Sequence, residues 1–214
     1  DANPSPALRE QWPQIENGYW GPDYLTQLDR YDLLFRTPGL PTLDIRLQTA
    51  RAQGSEVSSQ TQLFFALCPC PIIGITGTKG KGTTTTLLES LLRNGQNKRV
   101  FSGGNIGQPP IAFAEQLRCD DLVVLELSSF QLQDLTQSPS IALVLSVTQD
   151  HLDYHNTRAE YVAAKKNIGR YRTPDDILIT NADCITSRTF AQDSPAQQWS
   201  FSTHGDVENG ACIA

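Results

Sequence analysis

The chain has 214 residues, a hydrophobic fraction of 39%, a charged fraction of 19% and a formal net charge of -6, which suits a soluble globular protein. The acidic balance and the lack of a basic cluster argue against nucleic acid as the main partner. No apolar run approaches the roughly 20 residues of a spanning helix, and nothing at the N-terminus has the pattern of a signal peptide.

Five cysteines, at 68, 70, 119, 184 and 212, are odd in number and lack a second pair at zinc spacing. They read as reduced thiols of a cytoplasmic protein. The chain contains no methionine and opens on Asp1, which reads as a piece of a longer protein.

Residues 1–22 are rich in Pro, Asn and Gly and show no period. Tyr31 to Phe35 reads as a buried strand, and Arg36-Thr-Pro-Gly-Leu-Pro41 follows as a turn with Gly39 free to take positive φ. Asp44 to Gln53 reads as a helix ended by Gly54. Gln60 to Leu67 reads as a second helix, running into the proline-rich joint Cys68-Pro-Cys-Pro71. A domain boundary is expected there, giving residues 1–69 and 70–214.

Ile72 to Ile75 is a short apolar strand that breaks into the glycine-rich loop Gly77-Thr-Lys-Gly-Lys-Gly82. The loop enters a helix whose Leu87, Leu88, Leu91 and Leu92 fit a 3.6-residue period. Strand, glycine loop, Gly-Lys and hydroxyl residues at a helix start make a phosphate cradle: backbone N–H groups and the helix dipole point at the anion. Lys81 would reach the terminal phosphates and a Thr hydroxyl the magnesium ion. Two positions depart from G-x-x-x-x-G-K-[ST], since Ile75 stands for the first glycine and Gly82 for the Ser/Thr.

Strands follow at Arg99 to Phe101, Asp121 to Leu125, Ile141 to Val147 and Asp176 to Thr180. Apolar runs alternating with helices imply an α/β fold with a parallel sheet covered on both faces. The polar motifs fall at the carboxyl ends of these strands, where open α/β sheets bind ligands. Glu126 is placed to hold magnesium, or is an ordinary polar residue where the strand surfaces. Asp150-His-Leu-Asp-Tyr-His155 reads as a metal cluster or as polar residues on the surface after a strand. Thr157 and Glu160 form a capping box. Lys165 shares its helix side with apolar residues and by itself reads as a snorkelling lysine.

Thr76-Gly-Thr-Lys-Gly-Lys81 resembles the ATP-binding loop of the Mur ligases, and Lys-Gly-Thr that of the related folylpolyglutamate synthetases. Glu126-Leu-Ser-Ser-Phe-Gln-Leu132 resembles the block of the D-glutamate-adding branch. Asp150-His-Leu-Asp-Tyr-His155, Tyr161-Val-Ala-Ala-Lys165, Gly103-Gly-Asn-Ile-Gly107 and Asn181-Ala-Asp183 are similar to further family motifs, with Cys184 departing at the end of the last.

The resemblance implies a P-loop ATPase central domain preceded by part of a Rossmann-like, UDP-binding domain. It implies ATP held by Gly77, Thr78, Lys79, Gly80, Lys81, Gly82, Thr83 and Thr84, and two magnesium ions held by Thr83, Glu126, His151 and Lys165. Lys165 would be carbamylated and His155 structural. Catalysis would fall to Lys81, Glu126, His151 and Lys165, and substrate contacts to Asp1, Thr37, Pro38, Gly39, Asn105, Ser128, Gln131 and His151.

The implied reaction joins D-glutamate to UDP-N-acetylmuramoyl-L-alanine in a cytoplasmic monomer, with neither membrane nor nucleic acid involved. Another amide ligase of the superfamily and a non-catalytic nucleotide-binding piece stay open as alternatives.

Overall fold

The structure is a computed structural model that describes residues 23–95, 98–105, 107–148, 155, 157–192 and 194–213. The chain divides into two compact units, one of residues up to Arg36 with Thr42–Ser58, the other of Thr37–Pro41 with Ser59–Ala214. The division falls after Ser58, so the helix Gln60–Leu67 and the Cys68–Pro71 joint lie in the second unit.

In the first unit β1 (Leu33–Arg36) pairs with β2 (Glu56–Ser59) in a two-stranded sheet, and α1 (Ile45–Ala52) lies between them in sequence. Asp44 caps α1 by accepting from Arg46 N at 2.9 Å, and Gly54, at φ +106°, ends it as expected. The expectation of a buried strand does not hold, because Leu33 and Phe35 are 46% and 48% exposed. An apolar run signals a strand, but a strand with a single neighbour among the described residues has little there to bury itself against. The turn at Thr37–Pro41 is closed by Leu40 N donating to Thr37 O at 3.1 Å. Gly39 does not use positive φ there.

The second unit opens with α2 (Gln60–Leu67), β3 (Ile72–Thr76), α3 (Lys81–Gly95) and β4 (Val100–Gly104). A 3-10 segment (Pro110–Gln116), β5 (Leu122–Glu126), α4 (Ser129–Leu132), β6 (Ile141–Val144) and α5 (Arg158–Arg170) follow. β7 (Ile177–Asn181), α6 (Ile185–Arg188), β8 (Gln197–Ser202) and β9 (Gly210–Cys212) complete it. The seven strands β3 to β9 form one sheet in the order β4-β5-β3-β6-β7-β8-β9, every neighbouring pair parallel. β3 is therefore flanked by β5 and β6, and the chain leaves it first to one side and later to the other. That reversal opens a crevice at its carboxyl end.

Alternation along each strand sends side chains to two apolar clusters. Ile72, Val123, Leu125, Ala142 and Val144 join Phe64, Phe113, Tyr161 and Ile168 on one face. Ile73, Ile75, Leu122 and Val124 meet Leu88 and Leu92 of α3 on the other. Leu87 and Leu91, the other half of the α3 apolar pattern, point outward and are 59% and 71% exposed. The fully buried Phe64 ring meets Phe113 edge-on at 5.6 Å, and burying one such side chain contributes about 1.5–3 kcal/mol.

An ion pair fixes the start of β5. Arg99 donates twice to Asp121, at 2.8 and 2.6 Å, and Arg118 N donates to it at 2.7 Å. Burial opposes the charge, but these hydrogen bonds win and hold the Asp121 carboxyl below the usual carboxylate range. A depressed carboxylate contributes stability above its unfolded pKa of about 3.9 and loses it as pH falls through the lower folded value. Asp121→Asn is therefore expected to lower the melting temperature by several degrees near neutral pH. The difference from the parent should shrink below about pH 4, as acid-dependent thermal unfolding would record. A constant difference down to pH 2 would refute the assignment.

The sequence beyond Thr189 carries little signal, yet β8 and β9 extend the sheet. Asp183 ties β7 to β8, accepting from Ser202 Oγ at 2.6 Å and from Thr203 N at 2.8 Å. These bonds, Ser202 foremost, hold its carboxyl well below the usual range.

Candidate functional site

The loop between β3 and α3 is shaped by position rather than by a full glycine pattern. Ile75 occupies the place of the first glycine because it is still a strand residue, fully buried and paired in register with Glu126. The chain turns only after Thr76. Gly77 (φ +154°) and Gly80 (φ +84°) carry the bend, and a Cβ on Gly77 would stand 2.7 Å from Leu145 Cβ.

Two lysine amines hold the loop. Lys81 Nζ donates to Thr78 O at 3.1 Å, and Lys165 Nζ donates to Gly77 O at 2.9 Å and Thr76 Oγ1 at 3.3 Å. Both cations sit on loop carbonyls, the groups that would repel an anion. The first N–H groups of α3 have no intrahelical partner and give that terminus its partial positive charge. Thr78 is not among the open donors: its N–H goes to Ser146 O at 2.8 Å. Its hydroxyl joins Tyr161 OH at 3.1 Å and accepts from Thr148 N at 2.9 Å. Lys79, Gly80 and Thr83 are exposed.

Beside the loop, a cavity of about 230 Å³ is bordered by Gly82, Thr85, Thr86, Ser102, Gln108 and Glu126, among others. Glu126 is 2% exposed, and its Oε2 is buried without a hydrogen-bond partner. Asn105 holds the other oxygen, Nδ2 to Oε1 at 3.0 Å, and its own N donates to Glu126 O at 2.9 Å. Thr85 Oγ1 is likewise buried and unpartnered. An unpartnered carboxylate oxygen and an unpartnered hydroxyl, on two residues that border one cavity, fit a hard, oxygen-seeking cation such as magnesium. A further cavity of about 570 Å³ opens at the ends of β6 and β7, between Ser146–Thr148, Arg158 and Asp183–Thr186.

Lys165 does not snorkel. It is 2% exposed, with Nζ 4.9 Å from the centre of the Tyr161 ring. His155 is fully buried, its Nε2 2.9 Å from Ser129 Oγ and its ring stacked on Phe130, which is a packing role. Ser128 and Gln131 form a reciprocal capping box at the start of α4, Ser128 N donating to Gln131 Oε1 at 3.0 Å. Thr37, Pro38 and Gly39 make an exposed turn.

Residues 75–211 match the family model described as Mur ligase middle domain. The chain belongs to the Mur ligase family. It is 43% identical over 193 residues to the UDP-N-acetylmuramoylalanine--D-glutamate ligase of Acetivibrio thermocellus, covering 90% of this chain and 41% of that protein. The protein of the same name from Symbiobacterium thermophilum is 45% identical, over 87% of this chain and 41% of its own length. The chain thus spans about two fifths of the length of these curated relatives. In structure it is similar to the MurF ligase of Thermotoga maritima, solved in complex with ADP, with a TM-score of 0.52 and 17% identity. That match covers 84% of this chain and 52% of the other, and at such identity it speaks to the fold.

Within this Mur ligase domain the structure brings together Gly77, Thr78, Lys81 and Lys165 at the loop, and Gly82 and Glu126 at the cavity, with Asn105 bonded to Glu126. Asp1 and His151 lie outside the described residues. Among the described residues no group of three His, Cys, Asp or Glu side chains forms a metal centre. Two residues escape the sequence reading. Thr85, not Thr83, borders the Glu126 cavity; it lies four residues after Lys81, one helical turn along the same face. Tyr161 reaches Thr78 from the face it shares with Lys165, and that same spacing was its available signal.

Proposed function

We propose that this chain is the ATP-binding core of a ligase that joins D-glutamate to UDP-N-acetylmuramoyl-L-alanine in peptidoglycan synthesis. The observation that carries the reading is the lysine-braced glycine loop beside the bare Glu126 oxygen, in a chain 43% identical to a protein of that activity. The Thermotoga MurF ligase was solved in complex with ADP, which is in keeping with a nucleotide ligand for this chain.

ATP would phosphorylate the substrate carboxylate, and the D-glutamate amine would displace phosphate from the acyl phosphate. The chain's contribution is electrostatic: Lys81 and the α3 N-terminus would face the phosphates, and Lys165, while it is an ammonium, fixes the loop. Glu126, Thr85 and, by resemblance, Thr83, His151 and a carbamylated Lys165 would hold magnesium, which neutralises charge on the transferred group. Asn105, Ser128 and Gln131, with the Thr37–Gly39 turn and Asp1, are assigned to the muramoyl nucleotide. Residues 1–69 would belong to a Rossmann-like UDP-binding domain and 70–214 to the central domain. No described helix is long and apolar enough to cross a membrane. We place the enzyme in the cytoplasm and take it to be monomeric.

The test is phosphate release by the full-length protein with ATP, magnesium and UDP-N-acetylmuramoyl-L-alanine, across a panel of amino acids and with a folate substrate as control. Release is expected with D-glutamate alone. Release with another acceptor would change the substrate, and none at all would overturn the reading.

A further inference from the structure

Cys68 closes α2, and Cys70 stands two residues before β3, with Pro69 stiffening the link. The two sulfurs are 3.7 Å apart in an S–H···S contact, and Cys68 Sγ also donates to Cys70 O at 3.4 Å. Both side chains lie against the same apolar cluster, Cys70 buried and Cys68 partly open. The backbone is held on either side: Cys68 N donates to Phe64 O at 2.9 Å, and Val123 N donates to Pro71 O at 3.1 Å. Two thiols are thus kept in contact by restraints that do not depend on them, and the phosphate site uses neither.

We infer that Cys68 and Cys70 are a modification site, a dithiol that a small-molecule disulfide of the glutathione class converts into a reversible intrachain disulfide. Cys68, the more open sulfur, loses its proton to solvent and attacks one sulfur of the reagent. The reagent's S–S bond breaks, and its other half leaves as a thiolate that is then protonated. Cys70 next loses its proton and attacks the Cys68 sulfur of the mixed disulfide, expelling the second reagent thiol. Two protein thiols are oxidised, and one reagent disulfide is reduced to two thiols.

Burial, with Cys68 beside it, pushes the Cys70 thiol up to about 12. The second step therefore runs on proximity rather than on a standing thiolate. A bridge across a single intervening residue removes little chain entropy. The product is a weak disulfide that ordinary thiols reduce again.

The test uses the chain carrying Cys119→Ser, Cys184→Ser and Cys212→Ser, equilibrated in glutathione buffers of rising oxidised fraction and mapped by alkylation and peptide mass. Cys68 and Cys70 are expected to escape alkylation together, on a peptide lighter by two hydrogens, and dithiothreitol should restore both. With Cys70→Ser added, Cys68 should accumulate as the glutathione adduct. The unsubstituted chain, mapped the same way, gives the same readout if the serine variants do not fold. Independent alkylation of the two cysteines across the whole range, or an adduct on Cys68 that persists with Cys70 present, would overturn the inference.

Discussion

Gly104→Ala is expected to destabilise the domain by about 3 kcal/mol or more and to weaken magnesium–ADP binding at least tenfold, although no functional side chain is removed. Gly104 ends β4 in register with Glu126, at φ +117°. A Cβ there would stand 2.1 Å from Glu126 O and 3.0 Å from Glu126 C and N. These are backbone atoms and cannot step aside as a flexible side chain would. Either β4 leaves β5, or the Glu126 peptide swings. Both movements strain the bond from Asn105 N to Glu126 O and the grip of Asn105 Nδ2 on Oε1, so the bare oxygen loses its aim. Gly95→Ala is the control, since nothing lies within 4 Å of its Cβ and its φ is not positive. It should leave binding unchanged and shift stability by less than about 1 kcal/mol. Thermal unfolding and nucleotide titration of the full-length protein would check both. A Gly104→Ala variant with parental stability and affinity would mean that β4 is free to move.

That close approach could not be read from the chain. Gly103-Gly-Asn-Ile-Gly107 announced a turn, but which glycine touches which carbonyl depends on the β4–β5 register, set by residues twenty positions away. Signals that need no partner were legible. The apolar runs Ile72 to Ile75 and Asp121 to Leu125 gave strands, Gln60–Leu67 gave its helix, and Gly54 its end. β8 was not legible because Gln-Gln-Trp-Ser-Phe-Ser has no apolar run, and its outer neighbour β9 is three exposed residues. The run of four threonines after Gly82 declared a polar site without saying which hydroxyl faces inward; the helix phase selects Thr85. The motif singled out Lys165, but its partners lie almost ninety residues earlier, on the loop itself.

Lys165→Ala in the full-length protein is expected to cut turnover in the proposed reaction by about 10²–10³, and the pattern of chemical rescue should identify what the lysine does. As it stands, Nζ is a donor to Gly77 O and Thr76 Oγ1. A carbamate keeps one N–H, which can serve Gly77 O or Thr76 Oγ1 but not both, and its anionic oxygens have to point away from the Gly77 carbonyl. Carbamylation, in which the neutral amine adds carbon dioxide and releases a proton, would therefore replace a cationic donor to two loop oxygens by a one-donor anion whose oxygens can ligate a cation. The ammonium and the carbamate are exclusive states with opposite charge. If the carbamate is the working form, acetate or formate should partly restore the alanine variant while methylamine does not. Removing carbon dioxide should then slow the parent and leave the variant unchanged. If the ammonium is the working form, the two rescues exchange places. A fully active Lys165→Ala variant would refute both roles at once. The truncation also leaves the buried Gly77 carbonyl short of a donor, at a cost of about 1–3 kcal/mol. Turnover should therefore be compared at a temperature where both proteins are folded.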